Sequence, residues 1–203
     1  MAALDRADDG GAREIAGTDI LHLTGISAAL SGSGACADAV RQARRVDAPS
    51  ASTSTSVVSC GRRKQASRWL AELAASSDIV FTGIEGAQIL LGSTKSDARV
   101  LAEELAQWGP TDVVTKDGAR GCTVLIMGEH LDEPAVPVTF VHPVGAGDSF
   151  VVGYLECLLG LSAPARLRTA AAMKAYAVTI PGDSELLPTR PELAAANLVD
   201  VVR

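Results

Sequence analysis

The sequence predicts one α/β domain, a mainly parallel sheet with helices on both faces in three layers. Three observations predict it. Short apolar runs alternate with helix-period segments along the chain. Hydrophobic residues make up 47% of the chain but aromatic ones only 3%, so the core is built from Ala, Val, Leu and Ile, as helix-on-sheet packing favours. At 203 residues the chain can bury one substantial core and is too short for two large ones.

The elements follow in order. Ile20–Thr24 reads as a strand, and Cys36–Val46 as a helix of small residues with a charged outer face. Arg62–Ser76 is a stronger helix, with Trp69, Leu70 and Leu73 striped opposite Arg63, Lys64 and Glu72. Asp78–Thr82 is a short strand, and Glu85–Leu91 a helix ended by Gly92. Ser96 can cap a helix that runs to Trp108 and stops at Gly109-Pro110. The strand Asp112–Lys116, a turn over Asp117–Gly121 and the strand Cys122–Met127 come next. A strand at Val136–Val141 leads into Pro143-Val144-Gly145-Ala146-Gly147-Asp148, and a helix runs from Ser149 to Gly160. Two helices, Pro164–Val178 and Pro191–Val201, close the chain. One segment resists the pattern: between Asp47 and Cys60 the chain is low in complexity, mostly Ser, Thr and Ala, with no large apolar residue. Composition makes it a polar loop or linker, while the alternation asks for a buried strand there.

Composition also excludes functions. A formal charge of −6 gives no basic face for nucleic acid, and the basic groups Arg41–Arg45 and Arg62–Lys64 read as solvated helix faces. Cys36, Cys60, Cys122 and Cys157 are too widely spaced for a zinc site or a disulfide framework and read as buried free thiols in a reducing cytoplasm. Met1–Gly17 has no apolar core of the kind a signal peptide needs. Phe150–Leu161, the longest apolar run, is broken by Glu156 and too short to span a bilayer. A cytoplasmic protein with no membrane partner is expected.

The chemistry concentrates at Gly145-Ala146-Gly147-Asp148. A Gly-Ala-Gly turn at a helix start lets several backbone N–H groups point the same way without side chains intervening, and the helix dipole adds positive potential there. Such a turn makes an anion hole for phosphate oxygens. Asp148, in the first helical turn, is placed to take a proton from an attacking hydroxyl. A Gly-rich helix entry with a favourable first-turn Asp is also a common structural device. Gly32-Ser33-Gly34-Ala35-Cys36-Ala37 mimics a dinucleotide fingerprint, but it does not directly follow a strand and lacks an acidic partner.

Read with its neighbours, the motif resembles the signature of the PfkB, or ribokinase-like, carbohydrate kinases, Asp-x-x-Gly-Ala-Gly-Asp-x-Phe, which Val144–Phe150 follow. Upstream, Thr115-Lys116-Asp117-Gly118-Ala119-Arg120-Gly121 resembles the family's Gly-x-x-Gly turn over the nucleotide. Thr82-Gly83-Ile84-Glu85 resembles its Asn-x-x-Glu, with the Asn replaced. Leu187–Leu193 resembles its last loop and helix. The resemblance implies a phosphotransferase that uses ATP and Mg²⁺ on a small sugar or sugar acid, most like 2-keto-3-deoxygluconate kinase. It implies Asp148 as the base and Gly145, Ala146 and Gly147 as the anion hole. Thr115, Lys116, Gly118 and Gly121 would flank the nucleotide, and Glu85 would act on Mg²⁺ through water.

The sequence also departs from that pattern. The opening strands, β lid and most sugar contacts of the family lie before the region that Met1–Arg203 resembles, so the chain corresponds to the C-terminal two-thirds of one kinase domain. An unpaired sheet edge beside Ile20–Thr24, with self-association, is the expected result. His142 stands where the family has the first Asp of its signature. Finally, the family's sugar-acid branch carries a strand ending in Phe-Asp-x-Asn-x-Arg-x-x-Leu-Trp where this chain has its Ser/Thr segment. The codons of Pro49–Arg62, displaced by two bases with free third positions, can spell that motif. That match implies a local, compensated frameshift over 48–62. These departures define the alternative reading, a non-catalytic remnant that binds nucleotide weakly.

Overall fold

The computed structural model describes residues 14–15, 17–54, 63–158, 160–181 and 187–195. They form two compact units. The first comprises 1–117 with 123–130, and the second 118–122 with 131–203.

The first unit is built on parallel strands. β1 (Leu21–Thr24) runs straight into α1 (Gly25–Arg45) through a capping box. Thr24 Oγ1 accepts from Ser27 N at 3.4 Å, and Ser27 Oγ accepts from Thr24 N at 3.3 Å. The helix therefore starts eleven residues before the predicted Cys36 and runs through the Gly-rich stretch 32–34. Glycine costs about 1 kcal/mol in a helix interior; burial of Cys36, Ala39, Val40 and Ala43, spaced 0, 3, 4 and 7, overrides it here.

β2 (Ser50–Thr53) corrects the polar-loop reading of these residues and meets the demand for a buried strand. All four are buried, in parallel register with β1 and with β3 (Ile79–Gly83). Their smallness lets them fit between neighbours, and partners offset the burial of their hydroxyls. Ser50 donates to Asp78 Oδ2 through both its amide (2.8 Å) and its hydroxyl (2.7 Å), and Thr53 Oγ1 pairs with His22 Nε2 at 2.9 Å. The rest of the suspect segment, 55–62, lies outside the described residues.

α2 (Arg63–Ser76) buries Leu70, Leu73 and Ala74. α3 (Ile84–Leu91) ends at left-handed Gly92, as its sequence predicts. The cap of α4 (Ala98–Ala106) is Asp97 and not Ser96: its carboxylate accepts from Arg99 N and Val100 N at 2.9 and 3.2 Å. β4 (Asp112–Lys116) pairs parallel to β3, matching Thr82 with Thr115 and Gly83 with Lys116. β5 (Cys122–Ile126) and β6 (Glu129–Glu133) complete the strand order β1-β2-β3-β4-β5-β6 and are shared between the units. β6 is an addition to the predicted strands. Its Glu-His-Leu-Asp-Glu composition hides it, and the two-residue turn at Met127-Gly128, with φ of 51° and 83°, is the signal that marks it.

In the second unit the predicted strand Val136–Val141 does not form. Pro134, Pro137 and Pro143 remove the donors that a ladder needs, and 134–143 runs without regular pairing. Instead the amides of Val141 and His142 donate to one acceptor, Val178 O, at 2.8 and 3.2 Å. α5 (Ala146–Glu156) begins three residues before the predicted Ser149 and stops short of Gly160. It packs on α6 (Ala163–Ala177), where a Cβ on Gly153 would meet Met173 Sδ at 2.9 Å and Ala170 Cα at 3.0 Å. α7 (Arg190–Ala195) occupies the start of the predicted last helix; 196–201 lie outside the described residues.

Candidate active site

The turn before α5 has the geometry its sequence requires. Gly145 is the N-cap with φ of 76°, a left-handed conformation in which a side chain is strained. Ala146 N donates to Pro143 O at 3.4 Å and Ser149 N to Gly145 O at 2.8 Å. The amides between them, of Gly147 and Asp148, have no acceptor among the described residues and remain the open donors of the helix start. Asp148 lies in this first turn, exposed, and its carboxylate has no hydrogen-bond or ion-pair partner among the described residues. One residue before Pro143, His142 holds a buried Nδ1 without a partner among the described residues.

The second unit also contains a cavity of about 530 Å³. The turn residues Gly118 and Gly121 line it, as do Pro143 and Ala146 from the approach to α5, whereas Gly145, Gly147 and Asp148 do not. Gly121 has φ of 112°, and a Cβ there would lie 2.1 Å from Glu133 O, so only glycine lets these backbones meet. The remaining walls are mostly apolar: Val136, Val138 and Phe140 from the irregular segment, Phe150 from α5, and Ala171, Ala175 and Val178 from α6 and its end. Phe140 is 63% exposed, a large ring left at the surface beside the cavity. Sequence reasoning missed these walls because alanines on a helix read as core. The sign available to it was Lys174, a lysine inside the run Ala170–Ala177, whose Nζ donates to Gly118 O at 2.8 Å. Cys122, also on the cavity, has its thiol pushed up to about 12 by burial, against the opposing pull of Lys174.

The other expected residues lie in the first unit. Thr115, on β4, is fully buried and its hydroxyl has no partner among the described residues; Lys116 ends the same strand, half-buried. Glu85 is exposed in the first turn of α3 and free of ion pairs among the described residues. No group of three or more His, Cys, Asp and Glu able to cage a metal occurs among the described residues. A single free carboxylate suits Mg²⁺, which keeps most of its waters and binds through few protein groups.

The pfkB family carbohydrate kinase model matches residues 6–190. The chain belongs to this family. Over 126 residues it is 32% identical to the 2-dehydro-3-deoxygluconokinase of Bacillus subtilis (strain 168), covering 61% of this chain and 38% of that protein. A PfkB protein from Polaromonas sp. JS666 superposes with a TM-score of 0.78 at 26% identity, over 96% of this chain and 62% of that one. Arabidopsis thaliana ribokinase, complexed with ribose and ATP, gives a TM-score of 0.78 at 20% identity, over 94% and 59%. The fold is thus ribokinase-like, and the chain spans about two fifths of the curated relative and three fifths of the solved structures. No helix among the described residues of this pfkB-family chain is long and apolar enough to cross a membrane.

Proposed function

We propose that the chain carries the nucleotide and general-base side of an ATP-dependent kinase acting on a hydroxyl of a sugar or sugar acid. The observation that carries this reading is the left-handed Gly145 turn. Among the described residues it leaves the Gly147 and Asp148 amides open at the start of an eleven-residue helix and places an unpaired carboxylate in the same turn. Those amides, with the helix dipole, would hold phosphate oxygens, and Asp148 would take the proton of the acceptor hydroxyl. The cavity behind Ala146, walled by Gly118 and Gly121 and otherwise mostly apolar, suits the flat ring of a nucleotide base. The family resemblance adds Thr115 and Lys116 as nucleotide contacts and Glu85 as a contact to Mg²⁺ through water. ATP, when bound, supplies the phosphoryl group. The 2-dehydro-3-deoxygluconokinase relative makes 2-dehydro-3-deoxygluconate, also called 2-keto-3-deoxygluconate, the first substrate to try.

The remnant reading has one observation in its favour. On the displaced frame the Asn and Arg of the sugar-acid branch fall at 55 and 57, where this chain carries Thr55 and Val57, outside the described residues. Neither can replace a guanidinium toward an anionic substrate. A coupled ADP-release assay with 2-dehydro-3-deoxygluconate separates the readings. Turnover that falls by about 10²–10⁴ in Asp148→Asn supports the kinase. ATP binding without turnover in the unaltered chain supports the remnant, and absence of ATP binding defeats both.

A further inference from the structure

We infer that Lys174 is a positioning residue for the nucleotide: its ammonium latches the Gly118 turn to α6 and so sets the width of the base cavity. The inference rests on the nucleotide-binding reading of that cavity. Ala171, Lys174, Ala175 and Val178 follow one another at 0, 3, 4 and 7 along α6 and its end, so one helix face forms a wall. Lys174 is the one charged residue among the lining residues. A lysine in an alanine-rich, largely buried helix lays its methylene stem along apolar surface and carries its head to a polar partner. Gly118 O is such a partner, at 2.8 Å and 56 residues away in sequence.

Gly118 is the point at which such a latch acts. Its φ is 58°, a conformation that glycine adopts without strain, and a Cβ built there would meet nothing within 4 Å. Gly118 has no side chain of its own to pack this end of the turn, and the hydrogen bond from Lys174 ties its carbonyl to the helix wall. A charge-assisted bond to a carbonyl is among the stronger single contacts available, and a wall already in place before binding spares the ligand the cost of ordering it. The latch acts on the base cavity; the open amides of Gly147 and Asp148 have no part in it.

The test is calorimetric titration of the full 203-residue chain with ATP, adenosine and tripolyphosphate. Lys174→Met should weaken ATP and adenosine by a similar factor, about tenfold, as loss of a charged hydrogen bond implies. Tripolyphosphate binding should be unchanged, and Lys174→Arg, which can still donate to the carbonyl, should restore most of the loss. If the unaltered chain binds ATP and Lys174→Met binds it equally well, the latch is wrong. A matching loss for tripolyphosphate would also overturn it, because a general structural defect would then explain the data. Failure of the unaltered chain to bind ATP would instead sink the nucleotide reading beneath it. Should Lys174→Met not fold, Lys174→Gln offers a neutral amide donor on a shorter stem, and a loss between those of Arg and Met is expected.

Discussion

At the scale of the residue, positions that look interchangeable in sequence differ sharply in what they can tolerate. Gly121 and Gly118 belong to one turn, yet a Cβ at Gly121 would strike the backbone at Glu133, whereas one at Gly118 would meet nothing and its carbonyl accepts from a distant lysine. Cys122, next in the chain, shows how burial changes chemistry. Its thiol is raised from 9.0 to about 12 by desolvation, so it stays protonated and unreactive at neutral pH. The sign of the stability effect follows. The folded value lies above the unfolded one, so this contribution is intact below about pH 9 and is lost as pH rises toward 12. Urea unfolding at neutral pH and at pH 10.5 should show a decline that Cys122→Ala reduces; an equal decline in both proteins would refute the assignment. The motif residues Gly145–Asp148 were legible because their types and spacing are unusual together. The walls of the cavity were not, since Ala171 and Ala175 carry no chemical sign of facing a cavity.

At the scale of the element, β2 shows where composition misleads. A Ser-Ala-Ser-Thr run reads as linker because propensity scales describe exposed or half-buried positions. Its neighbours decide otherwise: parallel strands on both sides and the carboxylate of Asp78 make burial affordable. Asp78 accepts twice from Ser50, a residue that is 1% exposed. Asp78→Ala should therefore cost about 2 kcal/mol, mainly by stranding the Ser50 amide and hydroxyl. Thermal or urea denaturation would measure it, and a loss within a few tenths would show that the pair is not holding the strand. β1, β3, β4 and β5 were legible because their alternation with helices is strong. The strand at Val136–Val141 was misread because its apolar residues outweighed its prolines, and β6 was missed because it is almost wholly polar. α1 was read too short because glycines at 32 and 34 argue against a helix that its buried stripe sustains.

At the scale of the whole molecule, the strand order puts β1 at one end of the sheet, and among the described residues β2 is its only neighbouring strand. An open edge of this kind favours association of chains. Light scattering of the 203-residue chain at micromolar concentration should find species larger than a monomer, and a monodisperse monomer would count against it. The small side chains of β2 have a further consequence for how the first unit opens. Ser-Ala-Ser-Thr removes far less apolar surface from water than Ile79, Val80 and Phe81 of β3 beside it, at about 25 cal/mol per Å². The seam between β1 and β3 is thus the weakest line in the parallel part of the sheet, although it lies inside it. Hydrogen–deuterium exchange should find the β1, α1 and β2 amides opening together, well before those of β3 and β4, as one cooperative unit of lower stability. Proteolysis under native conditions would then start in that unit and leave β3 through β4 intact as the surviving fragment.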